Sequence, residues 1–407
     1  MANEKECTNL IQYCVEGKVP LYEIVFFLTN RCNQRCLTCW QRADDFTITE
    51  ELSDELWIKL LHDAIAMGAN HFYLVGGGEP MVRGDLVLKL AEIARQNNLF
   101  CVLHTNGTLF KPEQMDKLIE LNWDQVVFSL DGPNPEINDF IRGKGTFDRA
   151  FRNLMYFKEH RKKGMIPIPN LGINFTITNT NYRYIDKIVE LATEIGCGAI
   201  HATLVQPFNK QAEKFVIEKE DIEECKKCLI QAKEMADKEG IYHTLDSVIK
   251  SFENDIDSKH KSRLNKNLTT FKQNKNTFTE TYCFEPWLSM TISADGKVSP
   301  CCMFWTDKNP SIHEYSLEEI WNGDFFTALR NQLQSGKEEL PDICLHCPSQ
   351  LRQRSENIRN ELKEAIEKTS KNVFVLIRRF IAYVKKAGLY SALKRTKEWF
   401  FIQWGKI

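Results

Sequence analysis

Six short apolar runs alternate with segments of helical periodicity in the first half of the chain, and this alternation is the strongest constraint on its fold. The runs are rich in β-branched and aromatic residues and predict buried strands at about 22–28, 71–75, 99–103, 124–130, 171–177 and 198–205. Strands that alternate with helices form a parallel α/β fold with right-handed crossovers. The pattern does not distinguish a barrel from an open sheet, but in either one the functional residues lie at the carboxyl ends of the strands.

The sequence changes character after residue 205. Charged amphipathic helices are predicted from about 218 to 253, followed by a polar linker at 254–280 that is rich in Lys and Asn. A short cysteine-bearing unit follows, with a hairpin signal at Asp295-Gly296 and a helix at about 316–334. We therefore divide the chain into a core, a helical and linker region, a small α+β auxiliary domain and a helical tail, at residues 1–210, 211–280, 281–352 and 353–407.

Charge is distributed unevenly along the 407 residues. The formal net charge of −2 gives no case for a nucleic-acid partner. Residues 371–407 carry +8, however, so that residues 1–370 carry −10. The basic tail also contains Trp399 and Trp404. As an amphipathic helix it would bind a membrane surface, contact a protein partner, or pack on the acidic body with its charges outward.

The N-terminal residues, the length of the apolar runs and the cysteines indicate the cellular compartment of the protein. The N-terminal residues include Glu4 and Glu6 and no apolar signal segment, and no run reaches the roughly 18 apolar residues that span a bilayer. These features predict a cytoplasmic protein, which would be peripherally membrane-associated if the tail binds lipid. Because disulfides are rare in that compartment, the 14 cysteines indicate metal or redox chemistry.

Three cysteines, Cys32, Cys36 and Cys39, follow the first predicted strand with the spacing C-x3-C-x2-C. A structural zinc ion takes four protein ligands, and an iron–sulfur cluster usually takes four cysteines. Three thiolates in one loop therefore leave one coordination position open for a substrate or cofactor. The alternatives are incidental cysteines or a zinc site completed from elsewhere in the chain.

This triplet resembles that of the radical S-adenosylmethionine (SAM) superfamily, and the resemblance continues over about residues 20–210. GGGEP at 76–80 is similar to the family's GGE motif, TNG at 105–107 to its turn after the third strand, and SLDG at 129–132 to the segment after the fourth. The resemblance implies a partial (β/α)6 TIM-type barrel. It also implies a 4Fe–4S cluster held by the three cysteines.

The resemblance further implies which residues bind SAM. Glycines permit close backbone approach, and the GGE motif receives the methionine amino group. Arg142 matches an arginine that contacts the methionine carboxylate, a task suited to a planar guanidinium. Ser129 would share that carboxylate, Asp131 would contact the cofactor or fix its own loop, and Asn174 would face the pocket or a neighbouring strand. The full implied set is Gly77, Gly78, Glu79, Asn106, Ser129, Asp131, Arg142 and Asn174.

In this family the reduced cluster cleaves SAM to methionine and a 5′-deoxyadenosyl radical, which abstracts hydrogen from a substrate C–H bond. An electron donor such as a flavodoxin or ferredoxin is implied as a partner. The sequence identifies no catalytic base or hydrogen donor.

A second cysteine pattern, C-x12-G-x4-C followed by C-x2-C, is formed by Cys283, Cys301, Cys344 and Cys347. It resembles the SPASM extension of the family or its shorter Twitch form. The long SPASM pattern has further cysteines that this chain lacks after Cys347. Four thiolates would fully ligate one auxiliary 4Fe–4S cluster, and they would also suit a structural zinc ion.

Other candidates have plainer interpretations. Cys302 would be an alternative ligand, a hydrogen-atom donor or inert, and we favour the last. Cys225 and Cys228 fit the apolar stripe of a charged helix, which indicates core packing rather than a metal site. His104 and His201 lie near predicted strand tips, where a histidine faces a pocket or has a structural role.

Together these features predict a radical SAM enzyme that oxidises or epimerises a carbohydrate, a glycan or a small natural-product intermediate. Only about 20 residues precede the first strand, which favours such a substrate over one bound by an N-terminal peptide-recognition domain. A maturase of a ribosomally made peptide is the alternative. A zinc-binding scaffold without catalysis is the alternative of a different class.

Overall fold

The computed structural model describes residues 10, 19–42, 46–48, 50–255, 281–335, 340–345, 347–348 and 351–364. The predictions made for most of the linker at 254–280 and for the basic tail at 371–407 lie outside the described residues. No helix in the described part of the chain is long and apolar enough to cross a membrane.

The strands of the described residues form one sheet in the order β7-β6-β5-β4-β3-β2-β1-β8-β9. All neighbours pair in parallel except β8 and β9, which are antiparallel. Among the described strands, β7 and β9 are the outermost of the sheet, which together with its helices forms the predicted partial TIM-type barrel. The strands are β1 Glu23–Phe26, β2 His71–Leu74, β3 Phe100–Thr105, β4 Gln125–Ser129, β5 Asn170–Ile177, β6 Ala199–Leu204, β7 Tyr242–His243, β8 Ser289–Ile292 and β9 Val298–Ser299.

Helices follow the barrel strands as the alternation predicts. The longer ones are α1 Asp54–Ala66, α2 Gly84–Gln96, α3 Pro112–Glu120, α4 Pro135–Arg142, α5 Thr146–His160, α6 Ile185–Ile195, α7 Ile222–Lys238, α8 Leu245–Asp255, α9 Leu317–Asn322 and α10 Asp324–Ser335. Residues 351–364 are also helical. Helix α4 has no counterpart among the predicted elements. The single helix expected at 316–334 is divided at Gly323, whose backbone is extended.

Alternating side chains of each strand face opposite sides of the sheet. Ile24 and Phe26 of β1 pack toward the helices, where the ring of Phe26 lies 4.6 Å from that of Trp57 in α1. Helix α1 begins after Ser53, whose hydroxyl accepts the N–H of Leu56. The helix-facing side is thus a continuous apolar core, which leaves the polar side chains of the strands on the concave side of the barrel.

The cysteine-bearing segment extends the barrel sheet, because β8 pairs with β1 in parallel with Glu23 opposite Ser289. Ion pairs stabilise the junction between β1 and this segment. Arg354 donates a hydrogen bond to Glu23 at 3.1 Å and another to Glu285 at 3.1 Å. Both carboxylates are buried. The predicted division between core and auxiliary domain therefore falls within one hydrogen-bonded sheet, and its boundaries stay a prediction.

Candidate functional site

A cavity of about 370 Å³ opens at the carboxyl ends of β1 to β6. Its wall contains all three cysteines of the first triplet and the glycine loop after β2. A larger and more polar groove of about 520 Å³ runs outside that loop, past Arg31, Arg83 and Lys111, and contains none of the cysteines. We place the site in the smaller cavity because the chemically distinctive side chains converge there.

The cysteine loop is held by backbone hydrogen bonds, both within the loop and to helix α4. Cys39 N–H donates to the carbonyl of Cys36 at 3.2 Å, and Leu37 N–H donates to that of Ile141 at 2.9 Å. Burial raises the pKa of all three thiols, whereas the nearby Arg142 opposes that rise at Cys36 and Cys39. Three half-buried thiols on one wall, next to a fixed cation, form a donor set that fits a cysteine-ligated iron–sulfur cluster.

The glycine loop lies directly against the cysteine loop. Gly78 N–H donates to the carbonyl of Thr29 at 2.6 Å, and Glu79 N–H donates to that of Arg31 at 2.9 Å. A Cβ atom on Gly78 would lie 2.0 Å from the Arg31 carbonyl oxygen, and one on Gly77 would lie 2.5 Å from that of Thr29. Glycine is therefore required here by the close approach of two backbones, and at Gly77 also by a φ of +64°.

Glu79 is buried and its carboxylate is used within the protein. One oxygen accepts the Thr105 hydroxyl at 2.6 Å and the Met81 N–H at 3.0 Å, and the other accepts the Asn106 N–H at 2.6 Å. Burial raises the pKa of Glu79, against the effect of these hydrogen bonds. The side chain reaches the cavity wall, and its role toward the methionine amino group stays a prediction.

Asn106 links the third strand to the cysteine loop. Its amide nitrogen donates to Asn33 Oδ1 at 2.9 Å and lies 3.9 Å from the Cys32 sulfur. Its amide oxygen accepts the N–H of Thr108 at 3.0 Å. The TNG turn is thereby placed on the cavity wall beside the first cysteine.

Ser129, Asn174 and Arg142 all line the same cavity, and Ser129 pairs in register with Asn174. Asn174 therefore faces the pocket, which resolves the alternative left open by its sequence. Asp131 differs from the other predicted cofactor-binding residues, because it is 1% exposed and lies behind the wall rather than in it.

Sequence reasoning missed several wall residues. Thr176 on β5 and Thr203 just past the middle of β6 line the cavity, as do the exposed rings of Trp40 and Phe208. The threonines follow Asn174 and His201 by two positions, so the period of two along each strand would have identified them. His104 also lines the cavity, and its ring centroid lies 6.2 Å from that of His201.

In the second cysteine set, Cys283, Cys301 and Cys347 lie close enough to the buried carboxylate of Glu285 to interact with it electrostatically. Cys283, Cys301, Cys344 and Cys347 are half-buried, and burial raises the pKa of all four thiols. Cys302 is exposed. Among the described residues no three His, Cys, Asp or Glu side chains are spaced to hold a single metal ion, and the ligand sets stay predictions.

Cys225 and Cys228 belong to the helical core. Cys225 is fully buried in α7, and Cys228 packs against the same apolar cluster. This placement agrees with the prediction that both cysteines pack in the core and do not form a metal site.

Comparison with known proteins agrees with the fold and the two cysteine patterns. The radical SAM superfamily profile matches residues 26–192, and the profile of the SPASM iron–sulfur cluster-binding domain matches residues 283–348. The chain belongs to the radical SAM superfamily. Within it, the chain carries a SPASM-type C-terminal extension, so its cofactors are a SAM-binding 4Fe–4S cluster and an auxiliary iron–sulfur cluster.

Relatives differ in the length that they share with this chain. The Fe-coproporphyrin III synthase of Methanosarcina barkeri is 37% identical over 193 residues, which are 47% of this chain and 45% of that protein. The PqqA peptide cyclase of Rhizobium meliloti is 28% identical over 340 residues, or 81% of this chain and 80% of that protein. This chain thus spans about half the length of the first curated relatives that it matches.

Solved structures agree with the fold at low sequence identity. SuiB of Streptococcus suis bound to SAM superposes with a TM-score of 0.59 and 17% identity, covering 84% of this chain and 74% of SuiB. At that identity the likeness concerns the fold alone.

Proposed function

We propose that this chain is a radical SAM enzyme that abstracts a hydrogen atom from a substrate C–H bond. The observation that carries the proposal is the convergence of Cys32, Cys36 and Cys39 with the glycine loop and Arg142 around one cavity. When bound, the cluster and SAM supply a carbon-centred radical that is able to attack an unactivated C–H bond.

The residues of this chain bind and orient. The three cysteines would hold the cluster and leave one iron free for SAM. The loop of Gly77 and Gly78 would receive the methionine amino group, and Arg142 with Ser129 its carboxylate. The buried wall around them would exclude water and competing hydrogen donors.

The second site would hold the auxiliary cluster on Cys283, Cys301, Cys344 and Cys347. A zinc-bound scaffold is the competing function, and metal analysis separates the two. Anaerobically purified chain should be brown and hold roughly eight irons if two four-iron clusters are present. Zinc without iron would contradict the proposal and support the scaffold.

We propose a carbohydrate, glycan or small natural-product intermediate as the substrate, to be oxidised or epimerised. The concave wall supports this, because besides Arg142, the cysteines and the internally hydrogen-bonded Glu79 it offers neutral hydrogen-bonding groups such as His104, Asn174, Thr176 and Thr203. The exposed ring of Trp40 at the cavity offers a stacking surface for a sugar.

A peptide is the second candidate substrate. It is favoured by the likeness to the PqqA peptide cyclase, which extends over 81% of this chain. Hydrogen transfer distinguishes the candidates: holoenzyme, SAM and reductant are incubated with carbon-deuterated sugars or with deuterated peptides. Deuterium in 5′-deoxyadenosine identifies the substrate class, and transfer from peptides alone would contradict the carbohydrate proposal.

Two partner proposals accompany the enzyme. A flavodoxin or ferredoxin would supply the electron, which is tested by replacing the chemical reductant with either protein.

The basic tail at 371–407 would bind a membrane surface, which is tested by co-sedimentation of the full chain and a 1–370 truncation with anionic liposomes. Equal, negligible pelleting of both would contradict the membrane proposal.

A further inference from the structure

Asp131 was expected either to contact the cofactor or to fix its own loop, and its surroundings distinguish the two. Its resemblance to the SLDG segment suggests contact with the cofactor, yet its side chain is 1% exposed and is absent from the cavity lining. A buried carboxylate is costly unless it is paired. Its partners therefore indicate what it does.

The backbone and one carboxylate oxygen of Asp131 are tied to the surrounding elements. Its N–H donates to Asn138 Oδ1 at 3.0 Å, and its carbonyl accepts the amide of Asn181 at 3.0 Å. Its Oδ1 accepts the N–H of Thr176 on β5 at 2.9 Å. These contacts fix the direction of the second oxygen, Oδ2.

That second oxygen faces Arg142. Asp131 Oδ2 lies 2.7 Å from Arg142 Nε, and the arginine side chain is 11% exposed. Neither atom has a separate hydrogen-bond partner among the described residues. Although burial lowers the pKa of Arg142, the charge of Asp131 raises it on balance, so the guanidinium stays a cation.

The other edge of the guanidinium is available to a ligand. Arg142 lines the cavity with Ser129 and Asn174, and its two terminal nitrogens donate to none of the described side chains or carbonyls. A guanidinium can present a pair of N–H groups to a carboxylate in a bidentate fork. With Nε directed at Asp131, the pair left for the cavity is Nη1 and Nη2.

We infer that Asp131 is a positioning residue for SAM: by holding Nε it directs the Nη1–Nη2 edge of Arg142 at the methionine carboxylate. The inference rests on the proposed function, because it concerns the same cofactor. Asp131 itself touches no part of SAM and acts only through Arg142.

The variant Asp131→Asn separates this role from a purely structural one. Its amide oxygen would still accept the Thr176 N–H, while its amide nitrogen would face Arg142 Nε, donor against donor. The loop is therefore preserved and the ion pair is lost. Asp148→Asn, on the exposed face of α5, is the matched control.

Binding of two ligands to the cluster-loaded protein is then measured by equilibrium dialysis under anaerobic conditions. The ligands are SAM and decarboxylated SAM, which lacks the group that Arg142 would hold. Asp131→Asn should weaken SAM binding roughly 10- to 100-fold, as expected for a misdirected charge-assisted pair, and leave decarboxylated SAM within about twofold. Asp148→Asn should change neither affinity.

A double-mutant cycle with Arg142→Gln tests whether Asp131 acts through Arg142. The double variant should bind SAM no more weakly than Arg142→Gln alone. Equal weakening of both ligands by Asp131→Asn, additive losses in the cycle, or unchanged SAM affinity would each overturn the inference. Iron content and the circular dichroism melting curve confirm that each variant is folded and loaded.

Two binding results distinguish a failure of the proposed function from a failure of the role assigned to Asp131. Wild-type protein that carries its clusters but binds no SAM would overturn the proposed function, and the inference with it. Wild type that binds SAM tightly, with Asp131→Asn binding equally well, would overturn the inference alone.

Discussion

The Glu79 carboxylate accepts the backbone N–H of Asn106 at 2.6 Å, and through this bond the glycine loop after β2 is fastened to the turn after β3. The second oxygen accepts the Thr105 hydroxyl and the Met81 N–H. Glu79, which its motif predicts to be a cofactor ligand, thus also fixes the position of the glycine loop relative to the turn after β3.

Glu79→Gln should therefore impair SAM binding even though it preserves shape. A glutamine has one accepting oxygen, so either orientation sets its NH2 group against the N–H of Asn106 or of Met81. Leaving a buried donor unsatisfied costs roughly 1–3 kcal/mol, and we expect SAM affinity to fall by up to the corresponding factor of about 5 to 150. Glu92→Gln on the exposed side of α2 is the control in the same dialysis assay. Wild-type affinity in Glu79→Gln would contradict the bracing role.

Gly78→Ala should separate the glycine loop from the cysteine loop. Its Cβ would lie 2.0 Å from the backbone carbonyl of Arg31, an atom that cannot move without displacing the cysteines. We expect lower iron content and a loss of SAM affinity of about tenfold or more. The control is Gly164→Ala, where the nearest atom would be 3.6 Å away. Similar iron content in both variants would show that the loops tolerate separation.

Arg354→Ala should destabilise the junction between β1 and the auxiliary segment. Arg354 donates to Glu23 and to Glu285, and its loss would remove the cation that these two buried carboxylates share. Removing one partner of a buried ion pair costs roughly 3–5 kcal/mol. Urea unfolding of the holoenzyme measures the loss, with Arg149→Ala, an exposed arginine of α5, as control. Equal midpoints in the two variants would refute this assignment.

His104 and His201 should make stability depend on pH. Burial lowers the pKa of His104 to about 3, with a further contribution from His201, and burial lowers that of His201 to about 4. Because the unfolded chain takes up these protons near pH 6.5, stability is highest above that value. It should fall by up to about 1.4 kcal/mol per unit for each ring as the pH drops toward 4.

Unfolding midpoints at pH 7.5, 6.5 and 5.5 measure this loss, and a His104→Asn/His201→Asn double variant should show a flatter curve. His62→Asn, on the exposed side of α1, is the control. Parallel curves for wild type and the double variant would show that the two imidazoles are not the cause.

The six core strands were predicted from their positions along the chain because apolar runs are a local pattern, whereas the barrel and most of the residues now found on the cavity wall were expected from the resemblance to radical SAM motifs. Apolar runs fix the strands, and parallel strands bring their carboxyl ends to one edge, so that Cys32, Gly78, Asn106 and Ser129 necessarily meet. From the sequence, Asn174 could face either the pocket or a neighbouring strand. The register of β5 against β4 pairs it with Ser129, which lines the pocket.

What escaped prediction depends on contacts between distant residues. The pairing of β8 with β1 joins segments more than 260 residues apart in sequence, and the Glu23–Arg354 ion pair spans 331 positions. Asp131 also looked like a ligand because its motif is local, whereas its burial depends on Thr176 and Asn181 across the sheet. Helix α4 was missed because it is only eight residues long, about two turns, so that the helical repeat hardly recurs.

Formation of 5′-deoxyadenosine shows whether Cys32, Cys36 and Cys39 support radical cleavage of SAM. Reconstituted wild type with SAM and a reductant, under anaerobic conditions, should form 5′-deoxyadenosine and methionine. The Cys32→Ala/Cys36→Ala/Cys39→Ala variant should form none, while Cys225→Ala, a core cysteine outside both sites, should retain activity. A fully clustered wild type that forms no 5′-deoxyadenosine, or a triple variant that still forms it, would contradict the account.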